Sequence, residues 1–154
     1  MNKITLLILS SLLMLGSVAC SDASKTSSSA PDTTAKAGDS LDKSTAQSNQ
    51  ADATNETRRK QLDSNIRANE QRNSATNDGS ANRSDAQIKS EVSSKLEANL
   101  PASQLAIDAK DGVVTVSGTV VAQDQLAKID KLSREIKGVR DVQVKATLKP
   151  SAKP

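Results

Sequence analysis

The chain has 154 residues and a formal net charge of +3, from 21 Lys and Arg against 18 Asp and Glu, a balance too even to mark a polyanion-binding protein on charge alone. It contains one Cys and no His, Trp, Tyr or Phe. Those absences remove the usual general base, the commonest metal ligand, zinc clusters, thiol pairs and the aromatic platforms on which bases or sugars stack, so no metal, cofactor or nucleic-acid partner is expected.

The first 19 residues, MNKITLLILSSLLMLGSVA, carry one Lys near the start and then an apolar run from Ile4 to Val18 diluted by Thr5, Ser10, Ser11, Gly16 and Ser17. Spanning a bilayer takes about 20 mainly apolar residues, so this run is short for a permanent anchor and suits a secretory signal segment. Two cleavage readings meet at the same bond. Ser17, Val18 and Ala19 match the small-x-small pattern of ordinary signal peptidase, which would release a soluble secreted or periplasmic protein with a free Cys20. The stretch SVAC also resembles a bacterial lipobox, which implies that Cys20 receives a lipid and becomes the first mature residue. The lipoprotein reading is favoured, because a solitary thiol in an oxidising compartment is otherwise unexplained.

From Ser21 to Arg83, Leu, Ile and Val occur only at Leu41, Leu62 and Ile66. So little apolar surface cannot offset the entropy of ordering a backbone, and residues 20–83 read as a disordered tether rich in Ser, Thr and Ala. As a flexible coil it would span roughly 45 Å, enough to hold a small domain clear of a membrane. One basic helix is expected inside it, over 55–72, where Gly and Pro are absent and Leu62 and Ile66 stand one turn apart. Its neutral interpretation, a solvated and fraying helix, is preferred over one that touches lipid.

Composition changes at Ser84: the next 65 residues hold 19 Leu, Ile and Val. Ser84 is an expected N-cap, and Ile88, Val92, Leu96 and Leu100 recur every four residues until Pro101 stops the helix. QLAIDAKDGVVTVSGTV then reads as a hairpin around Asp111-Gly112, with Leu105, Ile107, Ala109, Val114, Val116 and Val120 apolar on one face. A second helix follows, striped by Ala122, Leu126, Ile129, Leu132 or Ser133, and Ile136, weakly capped at its start and closed by Gly138. A last strand alternates Val142, Val144, Ala146 and Leu148 with polar residues. The expected fold is α+β, a two-layer helix-strand-strand-helix-strand domain over 84–149, followed by a disordered tail at 150–154. Both helices cover one face of a small three-stranded mixed sheet, leaving Thr115, Ser117, Lys145 and Thr147 toward solvent.

The runs DGVVTVSGTV and GVRDVQVKATL, with the opening SDAQIKSEVSSKL, resemble the BON domain, named for bacterial osmotically inducible periplasmic and nodulation proteins. Gly112, Gly118 and Gly138 stand where that pattern has its glycines and are structural positions. The resemblance implies a non-enzymatic protein on the periplasmic side of the cell envelope, at the outer membrane, whose domain binds phospholipid surfaces or envelope components and supports envelope integrity or the response to osmotic and other stress. Ser21 following Cys20, in place of Asp, agrees with that membrane. The candidate contacts for anionic lipid are Lys128, Lys131, Arg134, Lys137 and Arg140, weighed against a solvated helix face in which Asp124 with Lys128 and Asp130 with Arg134 make i, i+4 pairs. The alternative is a membrane-tethered module for protein contact or self-association, without lipid binding of its own.

Overall fold

The protein is described here by a computed structural model over residues 23–35, 42–77 and 83–149. The expected signal segment at 1–19, the Cys20 lipidation site and the tail at 150–154 lie outside the described residues. In chain order the elements are β1 (Ser24–Lys25), α1 (Lys43–Thr54), α2 (Glu56–Asn77), α3 (Asp85–Asn99), β2 (Gln104–Lys110), β3 (Val113–Val120), α4 (Gln123–Arg134) and β4 (Asp141–Leu148).

Helix α3 begins where the sequence provides a reciprocal cap. The Gln87 N–H donates to Ser84 Oγ at 3.3 Å while the Ser84 N–H donates to Gln87 Oε1 at 3.1 Å, so two otherwise orphaned donors are satisfied. The Asp85 carboxylate accepts from the backbone N–H groups of Asp111 and Gly112, which pins the β2–β3 turn to the start of the helix. That turn has φ +51° at Asp111 and +78° at Gly112, the left-handed pair that a two-residue hairpin needs to match strand twist.

The sheet runs β1-β2-β3-β4, with β2 antiparallel to β3 and β3 parallel to β4. Ile107 stands opposite Val116, and Val116 opposite Val144, so the apolar positions of three strands share the face under α3 and α4. Ile88, Leu96, Leu105, Ile107 and Ile129 are fully buried there, each worth roughly 1.5–3 kcal/mol of transfer from water. Ala122 offers α4 no side-chain cap; Gln125 substitutes from inside the first turn, accepting from the Val121 N–H at 3.2 Å and donating to the Pro101 carbonyl at 2.8 Å. On the α4 stripe Ser133 is the residue fully buried, and Leu132 is half-buried. The helix ends at Arg134, and Gly138 at φ +94° closes a separate turn instead of capping the helix directly.

Two expectations are amended. Ser117 is buried: its hydroxyl donates to the Thr34 carbonyl at 2.6 Å, because residues 23–35 lie over the outer sheet face, whereas Lys145 and Thr147 do face solvent and Thr115 is half-buried. The sheet expected with three strands has four, the added one coming from residues 23–35 within the segment read as a disordered tether. β1 pairs with β2 as a fourth strand, and the expected 55–72 helix forms within α2 and packs on α3. The α2–α3 seam is polar. Arg58 binds Glu97 with two hydrogen bonds of 2.6 and 2.7 Å, Asn65 donates to Ser90 and Ser94, and Asn69 and Asn73 are buried alongside Leu62. Arg83 pairs with Glu91 beneath it, and burial pushes the Glu91 carboxyl above its ordinary range despite that partner. A hydrophobicity count is blind to an attachment made this way.

The seam makes a testable demand. Glu97 is nearly fully buried, so Arg58→Ala strands its charge, a loss of about 1–3 kcal/mol that falls on α2 docking. Hydrogen exchange should show α2 amides exchanging about ten- to a hundredfold faster while those of β3 hold their protection.

Candidate functional site

The five candidate cations fall on α4, on the loop after it and at the start of β4, and the structure divides them. Lys128 donates to Asp124 at 3.1 Å, and this hydrogen bond holds the Asp124 carboxyl below its usual range. Arg134 reaches Asp130 at 3.0 Å and Asp141 at 2.9 Å, tying α4 to β4, and the two carboxylates raise its guanidinium further. Arg134 likewise depresses Asp141. These two cations are engaged in holding the fold. Lys131, Lys137 and Arg140 are exposed, and none makes a side-chain hydrogen bond or ion pair among the described residues. The i, i+4 pairs were readable from spacing. The Arg134–Asp141 bond, and a Lys95–Glu135 bond of 2.8 Å between α3 and α4, were not.

The glycines act as geometry. A Cβ on Gly112 would stand 2.8 Å from the Gly138 carbonyl and 3.1 Å from Arg140 Cγ, so the bare Gly112 lets the Gly138 turn and the Arg140 stem close over the hairpin. The Arg140 N–H donates to the Gly112 carbonyl at 2.8 Å. At Gly118, φ +119°, a Cβ would lie 2.0 Å from the Gln104 carbonyl, a distance no rearrangement of a side chain can relieve.

Beside the cations lies a feature that sequence reasoning missed. Val144 and Leu148, expected to face the core, are 40% and 36% exposed, the large apolar residues most open to water among those described. They point to the helix side of the sheet, but β4 is its outer strand, and α4, which lies against it, leaves these two side chains partly open. Strand order decides this, and periodicity does not contain strand order.

Among the described residues no group of three acidic or Cys side chains could hold a metal ion, and no helix is long and apolar enough to cross a membrane. The concavities among the described residues are open ones, among them a groove of about 600 Å³ between α2 and α3 lined by Arg59, Lys60, Asp63 and Lys95. A protein-family model of the BON domain matches residues 84–150, which is α3 through β4 with its cap and final residue. These residues are similar to the BON domain. No curated protein matches the chain. BON domains form a non-catalytic binding family found in periplasmic and envelope proteins and associated with phospholipid binding and envelope stress. The match spans a little under half of the chain, so α1, α2 and β1 are additions to the BON domain.

Gly118→Ala drives a methyl into the β2 backbone. Chemical denaturation should report a loss of more than about 4 kcal/mol, or no folded domain at all.

Proposed function

We propose that this is a non-enzymatic, lipid-anchored envelope protein, held through Cys20 at the periplasmic face of the outer membrane, whose BON domain touches anionic phospholipid and supports envelope integrity under stress. The supporting observation is the division of the cations: Lys131, Lys137 and Arg140 make no side-chain hydrogen bond or salt bridge among the described residues, Lys131 and Lys137 acting on Glu135 and Glu91 only at longer range, so their charged ends remain open to phosphate. Each Lys or Arg close to an anionic leaflet contributes on the order of 1 kcal/mol, so three of them give weak and salt-sensitive attachment. Weak attachment suffices for a chain already confined at a membrane, because the second contact is then made at high effective concentration. Lys128 and Arg134, occupied by Asp124, Asp130 and Asp141, are removed from the contact set of the sequence reading.

The full chain carrying Cys20→Ser, and hence no lipid, is the material for the test. It should float with vesicles containing anionic phospholipid at low salt, and neither with neutral vesicles nor at high salt. Reversing Lys131, Lys137 and Arg140 to Glu together should abolish flotation, while Lys128→Gln leaves it unchanged. No flotation under any condition would transfer the domain to protein contact. The anchor has a separate check: Cys20→Ala should eliminate acyl labelling, and a bare thiol at the natural N-terminus by mass spectrometry would remove the lipoprotein reading.

A further inference from the structure

We propose that β4 pairs antiparallel with β4 of a second copy of this chain, about a two-fold axis passing beside Lys145. This goes beyond lipid contact and does not depend on it. Among the described residues the sheet has two edges of different character: β1 closes one with two residues, while the eight residues of β4 form the other. The hydrogen bond from Lys149 N to the Val120 carbonyl, with Leu148 in register with Val120, shows that the odd-numbered residues of β4 face β3. The N–H and C=O groups of Val142, Val144, Ala146 and Leu148 therefore line the free edge. The same four residues carry the apolar side chains, including the exposed Val144 and Leu148.

A second β4 satisfies both sets at once. Antiparallel registers that oppose these groups place the axis at any residue from 143 to 147; at 146 Val142 meets Pro150, which has no N–H to give, and at 147 only Ala146 and Leu148 pair. At 143 only Val142 and Val144 contribute backbone bonds, and at 144 Leu148 meets Arg140. At 145 all four residues pair: Val142 with Leu148 and Val144 with Ala146 of the second copy, covering both exposed apolar residues. At the ends Asp141 of each strand, held by Arg134 of its own chain, stands opposite Lys149 of the other, so no like charges meet there. The cost sits on the axis, where Lys145 meets Lys145, and like charges directly opposed weaken a strand pair. A lysine in mid-edge is also a common guard against indiscriminate pairing, so the dimer is weak and reversible and the edge is closed to other strands.

The test uses the full chain with Cys20→Ser in mild detergent, so that an introduced Cys is the sole thiol. Lys145→Cys should form a disulfide dimer on oxidation, because axial residues face each other within disulfide reach. Gln143→Cys and Thr147→Cys should stay monomeric, their copies standing four strand residues, about 13 Å, apart across the axis. By sedimentation, Lys145→Gln should tighten the dimer about two- to fivefold, and Val144→Lys should abolish it without loss of the circular dichroism of the fold. Cross-linking at 143 or 147 in preference to 145, or a Lys145→Gln chain that stays monomeric at the highest concentration reached, would overturn the proposal.

Discussion

One face of β3 governs this domain. Val114, Val116 and Val120 have no exposure, and the strand carrying them is bonded on one side to β2 and on the other to β4. A strand paired on both edges can bury only one face under two helices. The positions of α3 and α4, the turn at Asp111-Gly112 and the crossover into β4 all serve to close that face. Gly118 is the place where the closure is tightest: β2 comes so near that the side chain has been given up altogether.

The order of elements from Ser84 onward was legible because every one of them presents apolar residues at its own period and ends at a residue with a steric reason to end it. What was hidden concerned neighbours. Val144 looks no different in sequence from Val116, and only the sheet order makes the first an edge residue with open backbone groups and the second the centre of the core. For the candidate cations, spacing revealed the partners of Lys128 and of Arg134 on α4 and concealed Asp141, seven residues away across a turn.

The segment before the domain makes a different kind of contact. Low apolar content argues for disorder when burial must come from hydrophobic transfer, yet α2 is seated by Arg58 on Glu97 and by Asn65 on two serines of α3. Such groups are nearly as well satisfied by water, so their contribution to net stability is small, and what they confer is a specific seat. Ser94 is covered by Asn65 of α2, and Ser93 donates to the Lys25 carbonyl of β1.

The pairing of Ser24 and Lys25 with β2 shortens the distance available to any acyl chain on Cys20. Four residues of fully extended backbone reach about 14 Å, far less than a coil of 63 residues, so the folded unit would be moored close against the headgroups by its β1 side. A second copy carrying the same adduct would be confined to the same leaflet, where two dimensions of diffusion replace three.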